Sequence, residues 1–177
     1  MRWTLKPKPD SNKVTRLAQE LGVDISIASL LIQRGIETFE VAKDFFRPNL
    51  NDLHDPFLMK DMDKAVARIE KAITHQESIM VYGDYDVDGT TSVALLSSYL
   101  LSYYPNVTTY IPDRYGEGYG VSFKGIDYAE DNGISLIIAL DCGIKAIDKV
   151  AYASKKKIDF IICDHHRPGN EIPLSSA

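Results

Sequence analysis

The chain has 177 residues, 45% of them hydrophobic and 25% charged, and a net charge of −5 at pH 7, which suits one sizeable domain, or a domain with a small appendage, of an ordinary globular protein. No apolar run reaches the roughly 20 residues of a membrane-spanning helix, and the basic start Met1-Arg2-Trp3-Thr4-Leu5-Lys6 lacks the apolar stretch of a signal peptide. Only Cys142 and Cys163 are present, so there is no disulfide framework; the expected setting is the reducing cytoplasm, and the acidic balance argues against a broadly basic nucleic-acid surface.

The chain opens with Arg2, Lys6, Lys8, Lys13 and Arg16 against the single acid Asp10. This stretch reads either as a phosphate-contacting arm or as a solvated tail. Residues 13–47 have the pattern of short helices, with Gly22 and Gly35 at helix ends and Pro48 stopping the third. Residues 48–60 read as an extended linker. The expected division is a helical N-terminal segment with its linker over 1–60, then an α/β domain over 61–177.

From Asp61 the pattern is regular. Met62, Ala65, Val66, Ile69 and Ile73 share one helical face. A strand is expected at Ser78–Gly83, a helix at Thr90–Tyr104, a strand at Val107–Ile111 and a helix at Ser122–Asn132 ending at Gly133. A strand at Leu136–Leu140, a helix at Lys145–Lys157 and a strand at Ile158–Cys163 follow. This alternation predicts a doubly wound, mainly parallel sheet, and the continuous apolar strands predict that both faces are covered. The simplest strand order, 2-1-3-4, sets the first, third and fourth strands side by side. Ligands of open α/β sheets bind beyond the carboxyl ends of the strands. Asp84, Asp86 and Asp88, then Asp141, then Asp164, His165 and His166 are therefore expected to converge.

The run Gly83-Asp84-Tyr85-Asp86-Val87-Asp88-Gly89-Thr90 holds three carboxylates close together. At about 5 Å and an effective dielectric near 20, each pair repels by about 3 kcal/mol, so bound cations are the simplest neutraliser. An EF-hand loop needs a bidentate Glu at its twelfth position, which here is Leu95. A haloacid-dehalogenase-type phosphatase would use Asp86 as nucleophile and Asp88 as general acid, but Gly83 and Asp84 interrupt the apolar run that normally ends on such a nucleophile. A shared metal site draws on the other strand ends. Asp141 and the two imidazoles of His165 and His166 suit manganese, iron or zinc, and Asp164 could orient a histidine. Taken singly, Asp141 reads equally well as a helix cap and the histidines as loop residues. Cys142 and Cys163 are expected as buried thiols.

Asp84-Tyr85-Asp86-Val87-Asp88-Gly89, Asp141-Cys142-Gly143 and Asp164-His165-His166 resemble, in order and spacing, the first three motifs of the DHH phosphoesterase superfamily. Arg114-Tyr115-Gly116-Glu117-Gly118-Tyr119-Gly120 resembles a segment of its RecJ branch, the single-strand-specific 5′→3′ exonucleases, and the likeness spans nearly the whole chain. It implies a DHH-type domain in which Asp84, Asp86, Asp88, Asp141 and His165 hold one or two Mn²⁺ or Mg²⁺ ions. His166 would contact the scissile phosphate and Asp164 would support the histidines. Arg114 and Arg167 are candidates for phosphate contacts. Tyr115 and Tyr119 stack on bases or simply pack a Gly-rich loop. The implied substrate is single-stranded DNA in repair and recombination, with other repair proteins as partners and no membrane. Alternatives are a phosphodiesterase of the same fold for oligoribonucleotides or cyclic dinucleotides, and a non-catalytic nucleic-acid scaffold. Family members carry a fourth acidic motif and a further substrate-binding domain. The chain stops at Ala177, so the expectation is an incomplete metal shell and little exonuclease activity for these residues alone.

Overall fold

The computed structural model describes residues 3–177; Arg2 of the basic arm lies outside the described residues. The chain divides into two compact units, Met1–Asp55 and Pro56–Ala177. Among the described residues no helix is long and apolar enough to cross a membrane.

The first unit holds α1 (Ser11–Leu21), α2 (Ile25–Ile32) and α3 (Phe39–Phe46). Each starts at a side-chain cap. Asp10 accepts from the Asn12 and Lys13 amides, Asp24 from Ser26 and Thr38 from Val41. Gly22, at φ 64°, ends α1 in the left-handed region. Val14, Leu17 and Ala18, spaced for one helical face, bury against Ala28, Leu31, Ile32, Ile36 and Ala42. Of the basic arm, Lys13 pairs with Glu37 at 2.6 Å and Arg16 with Glu20 at 3.7 Å. Residues 48–60 are not a continuous extended linker. They contain two 3₁₀ turns, Leu50–Asp52 and Pro56–Leu58, the first closed by a capping box between Asn49 and Asp52.

The second unit is a doubly wound α/β sheet. Its elements are α4 (Met62–Thr74), β1 (Ser78–Gly83), α5 (Val87–Leu101), β2 (Val107–Tyr110), α6 (Phe123–Asp131), β3 (Ile134–Leu140), α7 (Ile147–Lys155) and β4 (Asp159–Cys163). All three pairings are parallel and the order is β2-β1-β3-β4, as the simplest arrangement predicts. Alternate residues of the strands serve opposite faces. Met80, Tyr82, Ile137, Ala139 and Phe160 pack against Ile126, Ala129, Val150 and Ala153 of α6 and α7. Ile79, Val81, Leu136, Ile138 and Ile161 pack against Ala72, Val93 and Leu100 of α4 and α5. Both faces are covered, and the central strands β1 and β3 are accordingly apolar apart from Ser78, Ser135 and the Tyr82 hydroxyl, whereas the edge strand β2 carries Thr108 and Thr109.

Several boundaries differ from the periodicity by one to three residues, among them the starts of α5 and β3 and the end of α5, at Leu101 rather than Tyr104. Helix α5 begins at Val87 rather than Thr90, because the Asp86 carboxylate accepts from the Gly89 amide at 3.1 Å and caps it. Strand β3 begins at Ile134 rather than Leu136, where Ser78 pairs with Ile134 ahead of a register shift. Cys142 is buried as expected, but Cys163 is exposed, because β4 is an edge strand.

Candidate metal centre

The register of the sheet builds the site. Gly83 pairs with Leu140, and Leu140 with Cys163. Asp84, Asp141 and Asp164 are therefore the first residues beyond three level strand ends, side by side at the strands' C-terminal edge. The gap between β1 and β3 is also where the winding reverses, since β1 leads outward to β2 and the chain then returns to β3. Such a switch point leaves a crevice between diverging connections.

Each carboxylate is held differently. Asp84 is fully buried; its Oδ1 accepts from the Gly120 amide at 3.1 Å, while its Oδ2 has no hydrogen-bond partner. A buried carboxylate oxygen without a donor is costly unless a cation faces it. The chain passes Asp84 tightly, for a Cβ at Gly89 would stand 2.3 Å from the Asp84 carbonyl oxygen, so only glycine lets α5 start this close. Asp141 takes the left-handed conformation at φ 59°, and its amide still bonds the Cys163 carbonyl at 2.9 Å. Its Oδ1 meets His165 Nε2 at 2.9 Å and lies 4.0 Å from His166 Nδ1. Burial, then the charge of Asp86, raises the Asp141 pKa, with His165 partly offsetting them. Asp164 Oδ1 accepts from the His166 amide at 3.0 Å and contacts His166 Nδ1 at 2.7 Å, and its Oδ2 accepts from the Ile144 amide at 3.0 Å. Burial works to raise the Asp164 pKa, but those bonds outweigh it and the net shift is downward. The same Asp164 contact raises the His166 pKa.

One ligand atom each from Asp141, His165 and His166 lie within 4.8 Å of one another, a spacing that could hold a metal ion. A nitrogen–oxygen set of this kind suits a borderline or hard divalent cation. Asp88 joins Asp141, Asp164 and His165 in the lining of an open cavity of about 560 Å³. Asp86 is engaged as the α5 cap but is near enough for its charge to act on Asp141. Tyr119 enters from the loop after β2. Its hydroxyl donates to the Asp141 carbonyl at 3.4 Å and lies 3.3 Å from His166 Nε2. Burial and then the charges of Asp84, Asp141 and Asp164 push its pKa up to about 12. The buried Cys142 thiol is raised by burial and the same three charges. The pocket is thus strongly negative before any cation enters it.

Arg114 is farther out, its guanidinium 5.2 Å from the centroid of the Tyr85 ring, which makes an edge contact with Tyr119. Tyr115 is exposed. Arg167 is exposed and has no hydrogen bond or ion pair among the described residues. Two supporting groups escape sequence reasoning. The Tyr82 hydroxyl, buried inside β1, donates to the Gly120 carbonyl at 2.8 Å and accepts from the Ser122 amide at 3.2 Å, holding the loop that carries Tyr119. Glu117, itself in that loop, accepts from the Asp113 amide and from the Tyr110 and Ser122 hydroxyls. A hydroxyl deep in the apolar run that follows Ser78 is the available signal for Tyr82.

Residues 78–177 match the model of the DHH family, N-terminal domain. The single-stranded-DNA-specific exonuclease RecJ of Bacillus subtilis (strain 168) is 43% identical over 173 residues, covering 98% of this chain and 22% of that protein. The crystal structure of RecJ in complex with Mn²⁺ from Thermus thermophilus superposes with a TM-score of 0.69 at 25% identity, over 98% of this chain and 24% of the other. A crystal structure of exonuclease RecJ bound to manganese gives a TM-score of 0.62 at 32% identity, over 66% of this chain and 30% of the other. The chain thus spans between a fifth and a third of the length of these relatives. With its motif residues set side by side at the strand ends and the family match running from β1 to Ala177, the chain belongs to the DHH family.

Proposed function

We propose that this chain supplies the metal centre of a Mn²⁺- or Mg²⁺-dependent phosphodiesterase of the RecJ type, which removes nucleotides from single-stranded DNA with 5′→3′ polarity in repair and recombination. The observation that carries the reading is the convergence of Asp141, His165 and His166 beside the unpartnered buried oxygen of Asp84. The similarity to RecJ proteins over nearly the whole chain supports the same reading. Residues 1–60 are read as its helical appendage with the linker and 61–177 as its DHH-type unit, the compact units dividing within that linker, after Asp55. The setting is the cytoplasm, and other repair proteins are the expected partners.

Asp84, Asp86, Asp88, Asp141 and His165 are the proposed ligands. One or two divalent ions held there would supply Lewis-acid charge and activate water for attack at neutral pH. The protein groups do the rest. Asp164 fixes the His166 ring through Nδ1 and holds it toward the cationic form, so that Nε2, which the Tyr119 hydroxyl contacts at 3.3 Å, is the ring atom offered to a phosphate oxygen that takes the place of that hydroxyl. Tyr119 sets the opposite side of that ring. Arg114 and Arg167 contact backbone phosphates, which fix register without reading sequence. Calorimetric titration with Mn²⁺ of the parent and of Asp141→Asn tests the site, and degradation of a 5′-labelled single strand by the protein at its full natural length tests the activity. Mn²⁺ binding lost in the variant, with metal-dependent shortening from the 5′ end by the parent, is expected. Equal binding by parent and variant would remove the metal centre from these strand ends.

A further inference from the structure

The loop between β2 and α6 reaches the candidate centre through Tyr119 and carries Arg114 farther out, yet it contains Gly116, Gly118 and Gly120, residues that leave a backbone pliable. One buried carboxylate holds it. The Glu117 side chain is only 4% exposed. Its Oε1 accepts from the Asp113 amide at 2.9 Å; its Oε2 accepts from the Tyr110 hydroxyl at 2.9 Å and the Ser122 hydroxyl at 2.5 Å. These donors lie at the end of β2, at the start of the loop, and at the cap of α6, where Ser122 Oγ also accepts from the Gly125 amide at 2.9 Å. The loop is therefore cinched at both ends by a single side chain. Within it, Asp113 Oδ1 accepts from the amides of Gly116 and Tyr115 at 2.6 and 3.1 Å, fixing the turn that presents Arg114. At the far end the Gly120 amide is pinned to Asp84. Burial alone would favour the neutral acid, but the Asp113, Ser122 and Tyr110 bonds outweigh it, and Glu117 stays ionised. An ionised, fully satisfied buried carboxylate rigidifies its surroundings more than a neutral group would.

We infer that Glu117 is a positioning residue which holds the Arg114–Gly120 loop ready for the sugar-phosphate strand, so that ordering the loop is not part of the cost of binding. The inference rests on the phosphodiesterase reading of the strand ends and adds to it a group that touches neither metal nor substrate. Loss of such a latch weakens binding of the strand more than it slows the bond-breaking step, because the ordering cost moves into association.

The test compares Glu117→Ala, Glu117→Gln and Tyr110→Phe in the protein at its full natural length. An oligothymidylate is the probe, for fluorescence anisotropy in Ca²⁺ and for turnover in Mn²⁺. Glu117→Ala is expected to raise Kd and KM about 10-fold with kcat within about 3-fold and Mn²⁺ affinity unchanged. Glu117→Gln keeps an acceptor for the Asp113 amide, and both hydroxyls can turn to accept from its amide group. It is expected to restore Kd and KM to within about 3-fold of the parent, which a role in fold stability alone would not require. Hydrogen exchange over residues 111–122 should quicken in Glu117→Ala and not in Glu117→Gln. If Glu117→Ala fails to fold, Tyr110→Phe, which removes one donor and leaves the ring stacked on Tyr82, carries the test with a rise in KM of about 3-fold. Unchanged Kd in a folded Glu117→Ala, or an unchanged KM in Tyr110→Phe, overturns the latch. A Glu117→Gln as weak as Glu117→Ala does the same. A parent that neither binds nor cuts the strand overturns the functional reading instead.

Discussion

Acidic side chains gather at both ends of the same sheet, and the two ends treat them differently. At the N-terminal edge, Arg68 of α4 donates from Nε to Asp159 and from Nη2 to Glu77, both at 2.7 Å, and Ser135 adds a bond to Glu77 at 2.6 Å. At the C-terminal edge, Asp84, Asp141 and Asp164 have no lysine or arginine ion partner among the described residues; only His165 and His166 and backbone amides face them. The buried atoms left without a partner differ in kind as well: a donor, Arg68 Nη1, at the first end and an acceptor, Asp84 Oδ2, at the second. Carboxylates tied to a fixed guanidinium join strands and helix. Carboxylates left facing imidazoles keep a site that an exchangeable cation can enter.

Four substitutions sharpen or break this contrast. The largest effect is expected from Asp141→Asn, which should weaken Mn²⁺ binding by more than the roughly 10–100-fold that an outer group costs, while thermal stability without metal holds or rises as repulsion is relieved. A fall in apo stability instead would place Asp141 with the structural acids. Asp164→Asn comes next. It leaves one acceptor where the Ile144 amide, the His166 amide and the His166 ring now share two, and about 10–100-fold in metal-dependent turnover should be lost. Arg68→Ala should do the reverse, costing about 2 kcal/mol in urea unfolding with Mn²⁺ affinity unchanged, because it strands Glu77 while Asp159 stays half in solvent.

The smallest effect is a pH dependence. Burial works to raise the Glu77 pKa, but the Ser135 and Arg68 bonds prevail and set it below the ordinary 4.5. A carboxylate lowered by folding stabilises the fold in full above its unfolded value, and that stability is lost as pH falls through the folded value. The parent should therefore be more stable than Glu77→Gln at pH 6, and the gap should close on acidification below about pH 4.5. A gap that persists at pH 2 in chemical denaturation would assign the effect to packing rather than charge.

Much of this was legible in the chain itself. The alternation of Ser78–Gly83, Leu136–Leu140 and Ile158–Cys163 with amphipathic helices is a local pattern, and continuous apolar strands leave few options but a covered parallel sheet. The strand order followed from the simplest connections, and with it the expectation that Asp84, Asp141 and the Asp164-His165-His166 run would adjoin. Less legible was what each residue does there. Asp86 looks like its two neighbours in sequence, yet it is spent partly on capping α5, because the chain turns at Gly89 against Asp84. Cys163 looks like Cys142, yet edge position exposes it.

The sequence by itself determined the elements, their parallel winding and the set of acids and imidazoles at the strand ends, since periodicity and motif spacing act over a few residues. Only the tertiary structure decided which oxygen stays unpartnered, that Asp141 lies between two imidazoles, and that Tyr82 and Glu117 hold the loop bearing Tyr119. Those outcomes depend on strand register and on hydrogen bonds such as Tyr82 to Gly120, which join residues 38 apart in the chain and form only once the sheet has closed.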